Sequence, residues 1–289
     1  MKKNKIVSNI PYFIMFIVLA IYFVFMVAVL VFGLMNSFRS VDDDFLINGS
    51  LFGFPSPFVF TNYLDVADKI VVQSTRYVYL PEMILNTIIY SVGGAGILTF
   101  TCLVMAYCTS KFDFKFNAVI NTIYFFTVLF PIVGSMASTI NLLESLNLFD
   151  TWIGMFFMRL NFTSTGFLIL QGFFRSVDNG YIEAARIDGA SEYAIFFRII
   201  IPMLKNVVFV LFLGSFMGYW NDYQTSLIYM PSHPTALTGL HAYATDASNG
   251  AYIPTQFAGY MIMAVPIFVL FLVFKKKILT GLSEGGLKG

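Results

Sequence analysis

The chain has 289 residues, of which 58% are hydrophobic and 11% charged, with a formal net charge of +1. Its mean hydropathy of +0.77 excludes a soluble domain of ordinary composition and makes the lipid bilayer its natural solvent. The near-balanced charge gives no reason to invoke nucleic acid as a partner.

Four charge-free runs, residues 6–38, 83–110, 116–143 and 247–274, each exceed the roughly 20 residues that a helix needs to cross a hydrocarbon core. Two further intervals are apolar enough to join them, one interrupted by Arg159 and one ending at Trp220. The sequence therefore predicts an all-α membrane protein with six transmembrane helices near 11–35, 84–108, 117–140, 153–173, 205–222 and 257–274. Helices are expected because lipid leaves no other partner for backbone polar groups, and the alternating pattern of a membrane barrel is absent.

The first span reads "IMFIVLAIYFVFMVAVLVFG", apolar on every face. It is too long for the apolar region of a cleaved signal peptide and lacks a small-x-small site, so it reads as an anchor with "MKKNK" in the cytoplasm. The outside loop 36–82 carries "DDD" at 42–44 and "GFPSP" at 53–57, enough to cap a bundle and too little for an enzyme domain.

In the second span, "VGGAG" at 92–96 lacks the lysine of a nucleotide-binding loop and reads as a surface for close helix packing. Cys102 and Cys108 are six residues apart on one helix, about 9 Å along its axis and beyond disulfide reach. "SKFDFKFN" is a short cytoplasmic link. "GSMASTINLLESLNLFD" predicts a short interfacial or re-entrant helix, with Asp150 as N-cap of the fourth span.

Arg159 is expensive in a membrane and therefore a candidate for function. With Asn161, Thr163 and Ser164 it forms a polar patch where a hydroxyl-rich solute could bind; the alternative is that it reaches the interface or pairs with Glu144 or Asp150. Trp220, Asn221 and Asp222 at the end of the fifth span could stack on and hydrogen-bond a sugar, or serve as an interfacial belt and helix cap. His233 and His241 are read as lying in an outside loop without ligand spacing, so no metal site is expected.

Between the fourth and fifth spans, the loop 174–204 is charged and helix-like. Tyr181, Ala184 and Ala185 share one face, and Glu183 can pair with Arg186 three residues on. Gly189 suits a left-handed C-cap and Ser191 an N-cap. Tyr193, Phe196, Phe197, Ile200 and Ile201 then form an apolar stripe that Pro202 bends or ends. The pattern alone fits either a connector resting on the bilayer or a docking surface.

Six spans place both termini on the cytoplasmic side together with thirteen of the 17 Lys and Arg residues, leaving Arg39, Lys69 and Arg76 outside and Arg159 within a span.

At this point "EAARIDGASEYAIFFRIIIP", residues 183–202, resembles the cytoplasmic signature loop of ABC-importer permeases. "GYWNDYQTSLIYM" at 218–230 and the C-terminal "QFAGYMIMAVPIFVLFLVFKKKILTGLSEGGLKG" resemble the carbohydrate (maltose/oligosaccharide-type) branch, in particular the second maltose-transporter permease. The resemblance covers nearly the whole chain, while the "KKK" cluster, the tail and the first outside loop depart from it. It implies a coupling helix at about 180–188, with Glu183, Ala184, Ala185, Asp188 and Gly189 as its ATPase-coupling residues. It also implies a homologous permease subunit, two copies of an ATP-binding subunit that hold Mg-ATP, and an extracellular solute-binding protein. The implied function is one permease half of a bacterial oligosaccharide or glycoside importer, with no catalytic residue or cofactor in this chain. The alternatives from the residues are a secondary transporter or channel, for which only Arg159 speaks, and a membrane-embedded hydrolase, which both histidines argue against by their outside position.

Overall fold

The computed structural model describes residues 3–40, 53–130, 134–245 and 252–285. In chain order the elements are α1 (Lys3–Ser37), α2 (Thr61–Lys69), β1 (Val71–Gln73), β2 (Tyr77–Tyr79), α3 (Leu80–Lys111), α4 (Asn117–Leu129) and α5 (Met136–Ser145). They continue as α6 (Trp152–Phe157), α7 (Thr165–Ser176), α8 (Asn179–Ile187), α9 (Glu192–Met203), α10 (Lys205–Trp220), α11 (Gln224–Tyr229), α12 (Ala236–Thr245) and α13 (Ile253–Gly285). Strands β1 and β2 form a two-stranded sheet.

Among the described residues, Pro11–Ser37, Leu80–Lys111 and Ile253–Ile278 are long and apolar enough to cross a bilayer, and α9 with α10 makes a further candidate bent by 80°. The bend falls where Pro202 lacks a backbone donor and Leu204 leaves helical geometry (φ −104°, ψ 12°).

The chain divides into two compact units. One comprises residues 1–71 and 240–266. Here α1 leaves nearly all of its side chains from Tyr12 to Leu34 exposed, as an all-apolar helix in lipid can. Its end is fastened by α2, whose Asn62 amide donates to the carbonyls of Ser37 (2.9 Å) and Arg39 (2.7 Å), satisfying acceptors that a helix C-terminus leaves open. Gly33 allows a close approach of α13, since a Cβ there would lie 2.9 Å from the terminal methyl of Met261.

The other unit comprises residues 72–239 and 267–289. Its core joins α3, α4, α7, α8 and α9 through buried Leu103, Tyr107, Tyr124, Phe167, Phe174 and Ile195. Gly93 packs so tightly that a Cβ would meet the Phe156 ring at 2.5 Å, in keeping with the small-residue packing expected of "VGGAG". Cys102 and Cys108 are both free thiols. A buried amide ties α7 to the last turn of α3 and to α4, Gln171 donating to Thr109 (3.0 Å) and to Asn121 (2.8 Å).

Several sequence expectations are corrected. The interval 153–173 is not one helix. At its start α6 tightens, with Arg159 and Leu160 donating to the carbonyls three residues back, and the chain restarts as α7 after extended Ser164. The interval 117–140 is interrupted after Leu129, because Phe130 precedes a proline and takes an extended conformation, and is helical again from Met136 in α5; residues 131–133 lie outside the described residues. The N-cap of α6 is Thr151, whose hydroxyl accepts from the Gly154 N–H at 3.0 Å. Asp150 instead adopts φ 58° and accepts from the Ser232 N–H at 2.9 Å. His241 stands on α12 and not in a loop. The "DDD" at 42–44 lies outside the described residues.

The apolar stripe of α9 also differs. Residues Ile195–Ile200 wind as a π-helix, so Ile195 and Ile200, five residues apart, are both buried with Phe196. Tyr193 and Phe197 turn outward, Tyr193 with 80% of its surface exposed.

Candidate functional site

Helix α8 is built at both ends by local chemistry. The Asp178 carboxylate accepts from the Gly180 N–H at 2.9 Å, capping the start. At the end, the Ala190 N–H donates to Ala185 O (2.9 Å) and the Gly189 N–H to Arg186 O (3.0 Å), with Gly189 at φ 78°. This is the Schellman pairing, which needs a left-handed residue at that one position. Ser191 then caps α9 by accepting from the Ala194 N–H at 3.3 Å. The turn expected of "DGAS" is thus realised bond by bond.

The helix is held to its own subunit by buried Ile182 and Ala185. It is also held by Lys111, the last residue of α3, whose ammonium donates to Val177 O (2.6 Å) and Asn179 Oδ1 (2.7 Å). The opposite face presents Tyr181, Glu183, Ala184, Ile187 and Asp188, with Ile187 86% exposed. A shallow groove of about 430 Å³ runs beside it, lined by Gly180, Tyr181, Ala184, Asp188 and Ile199. Of the residues expected on the coupling surface, Ala185 is largely buried and forms part of the groove wall, and Glu183, Ala184 and Asp188 are exposed.

Arg186 does not take Glu183 as its partner; its Nε donates to Glu192 at 2.6 Å, across the glycine turn. That carboxylate pushes the guanidinium pKa above its ordinary range, chiefly through the hydrogen bond. Glu183 remains exposed on the outer face.

The second cluster centres on Arg159. Its Nη2 donates to Tyr90 Oη and Thr225 Oγ1 (3.2 Å), and lies 3.4 Å from Asp222 Oδ2. Tyr90 Oη donates to the same carboxylate oxygen at 2.7 Å, and the Thr225 N–H donates to Asp222 Oδ1 at 3.0 Å. The guanidinium carbon sits 4.5 Å from the centre of the Tyr219 ring, a cation–π contact that adds to the ion pair. Gly94 leaves room for both, since a Cβ there would lie 3.2 Å from that ring.

Arg159 and Asp222 thus come together, and the expected partners Glu144 and Asp150 give way to Asp222. Asn161 is exposed at the break between α6 and α7, apart from the hydrogen bonds just described. Asn221 donates to Met217 O at 2.8 Å as part of the end of α10. Trp220 is only 3% exposed and lies 5.6 Å from the Phe216 ring, so it packs inward and offers no open face to a sugar. Sequence reasoning missed Tyr90, Tyr219, Thr225 and Lys111. Thr225, three residues after Asp222, carried a helix-cap signal; nothing local marked the others.

A family model described as "Binding-protein-dependent transport system inner membrane component" matches residues 100–276, which include α8, its glycine turn and the Arg159 cluster except Tyr90. The chain belongs to this family. The permease resembles the inner membrane ABC transporter permease protein YcjP of Escherichia coli (strain K12), with 25% identity over 260 residues, 89% of each chain. It resembles Protein LplC of Bacillus subtilis (strain 168), with 30% identity over 259 residues, 84% of each chain. It also resembles the melibiose/raffinose/stachyose import permease protein MelC of Bacillus subtilis (strain 168), with 25% identity over 240 residues, 82% of this chain and 83% of that one. Among solved structures, a chain of a bacterial ABC transporter involved in the import of the acidic polysaccharide alginate has the same fold. The TM-score is 0.74 at 22% identity, covering 93% of the permease and 97% of that chain. The permease is thus a bacterial inner-membrane component of an ABC transporter.

Proposed function

We propose that this permease forms half of the translocation pathway of an importer for an oligosaccharide or related glycoside. In this reading it pairs with a homologous permease, receives solute from an extracellular binding protein and docks on two copies of a separate ATPase that bind Mg-ATP. The observation that carries it is α8: a short helix fixed at both ends, with Glu183, Ala184 and Ile187 presented outward. An exposed isoleucine beside a small residue and a carboxylate suits a protein groove better than water. Glu183, Ala184 and Asp188 are assigned to contact, and Ala185 and Gly189 to shape. The names of relatives such as the melibiose/raffinose/stachyose permease support the substrate class.

The chain crosses the membrane six times in this reading, with both termini cytoplasmic. The positive-inside distribution supports it, and α4–α5 and α6–α7 serve as interrupted crossings. The Arg159 cluster braces the end of α6 to the end of α10 and, in this reading, lies on the solute side of the pathway.

Co-purification tests this. Complexes carrying Glu183→Ala or Gly189→Pro should lose ATPase subunits while both permeases remain folded and paired. Full ATPase retention, with intact sugar-stimulated hydrolysis, would make α8 a passive connector and reopen transport without an ATPase.

A further inference from the structure

Helix α13 changes character abruptly near its end. Phe268, Val269, Phe271, Leu272 and Val273 are exposed apolar side chains on a stretch long and apolar enough to cross a bilayer, and Lys275, Lys276 and Lys277 follow at once, all exposed. Successive helical residues are set about 100° apart, so the three lysines form a basic collar over roughly half of the helix circumference. The apolar surface meets lipid tails, and the collar stands where tails give way to headgroups. The cluster departs from the carbohydrate-branch pattern that the rest of the C-terminal segment resembles, so the work common to that branch does not account for it.

Two further observations give the collar a defined shape. The Lys277 ammonium lies 5.4 Å from the centre of the Phe209 ring and 5.7 Å from that of Phe274, and the two rings touch at a centroid distance of 4.8 Å. Phe209 is on α10, one turn beyond the exposed Lys205, and residues four apart share a side of a helix. The aromatic pair thus brings the collar of α13 beside the basic first turn of α10. Second, among the described side chains no carboxylate lies within ion-pair distance of Lys205, Lys275 or Lys277. Like charges gathered without a counter-ion repel, and an anion set among them relieves that repulsion.

We infer that this patch holds the phosphodiester headgroup of an anionic membrane phospholipid, which clamps the end of α13 to the first turn of α10 beside the 80° bend at Leu204. The chemistry of the partner follows from the surface. Lysine ammonium groups meet a phosphate as point charges, and Lys277 is already oriented by its two rings. The lipid tails continue along Phe268, Phe271 and Val273, so headgroup and chains are met by adjoining surfaces of one helix. A soluble anion would use only the first of those surfaces. The inference goes beyond the transport reading and does not depend on which solute crosses.

The importer complex is placed in nanodiscs holding equal amounts of phosphatidylglycerol and phosphatidylcholine, and the lipids that stay bound on release are counted by native mass spectrometry. Wild type should retain phosphatidylglycerol in preference to phosphatidylcholine. A lysine at an anionic surface is worth about fivefold in affinity, so Lys275→Gln, Lys276→Gln and Lys277→Gln together should weaken retention about a hundredfold. Lys205→Gln alone should weaken it about fivefold and keeps the test open if the triple variant does not assemble. Lys115→Gln removes an exposed lysine from the link between α3 and α4 and should change nothing. No preference in the wild type, undiminished retention in the collar variants, or a loss with Lys115→Gln equal to that with Lys205→Gln would overturn the lipid site. Displacement of phosphatidylglycerol by millimolar inorganic phosphate would overturn it in favour of a soluble anion. Loss of the ATPase from the triple variant with lipid retention intact would assign the collar to a protein partner instead.

Discussion

Lys111 at the end of α3 holds the carbonyl of Val177, the last turn before α8, at 2.6 Å, and in the same reach holds Asn179 at 2.7 Å. One ammonium therefore joins the long helix α3 to the start of the exposed helix α8. A charge-assisted bond of this kind contributes about 1.5–3 kcal/mol. Lys111→Met should leave the permease folded, raise hydrogen exchange across 178–188 and lower ATPase stimulation several-fold. Unchanged exchange at α8 would show that Ile182 and Ala185 suffice to hold it.

Gly189 sits at φ 78° with open space where a Cβ would go. The cost of Gly189→Ala is then backbone strain alone, about 1–2 kcal/mol, with no steric clash to confuse it. The expected result is a modest drop in Tm and a reduced yield of co-purified ATPase. Gly189→Asn, a residue that tolerates the left-handed region, should recover most of both. Equal losses for the two variants would point away from the turn.

The Arg159–Asp222 pair predicts strong non-additivity. Either Arg159→Met or Asp222→Asn leaves a largely buried partner uncompensated, with a cost of about 2–3 kcal/mol, whereas the double variant should recover part of it. Thermal unfolding of the singles and the double in detergent measures the coupling. Additive losses would mean that Tyr90 and the Tyr219 ring, not Asp222, hold the guanidinium.

Arg186 and Glu192 form the contrasting case. Both side chains are about 45% exposed, so the pair is screened by water and salt. Arg186→Gln should change Tm negligibly, by less than about 1 kcal/mol of stability. A larger salt-insensitive loss would show that the pair is part of a buried network in the assembled importer.

How far these relationships could be read from the chain depended on their range. The first, second and last long helices were legible because an unbroken apolar run has one physical solution in lipid. The Asp188–Gly189–Ala190–Ser191 turn was legible because caps are local: the residue that needs the left-handed region and the residue that caps the next helix are adjacent in sequence. Arg159 stood out by its cost, but its partner did not, since Asp222 is 63 residues away and is brought to it by the packing of both α6 and α10 against α3. The π-winding of α9 was hidden for a different reason. The stripe was read with a period of 3.6, and a wider turn moved Tyr193 and Phe197 off the buried face. The break at 158–164 was masked by average hydropathy, which registers composition and not where a hydrogen-bond ladder tightens and stops.

The 80° elbow between α9 and α10 has a mechanical meaning. A force along a helix is borne by its hydrogen-bond ladder as a strut bears thrust, but two struts joined near a right angle pass on little of that thrust lengthwise. A push on the far end of α9 acts on α10 mostly as torque about Leu204. The lever is roughly 18 Å long at 1.5 Å per residue. The expected response of α10 is therefore a tilt whose amplitude grows with distance from that joint, a rocker movement and not a piston stroke.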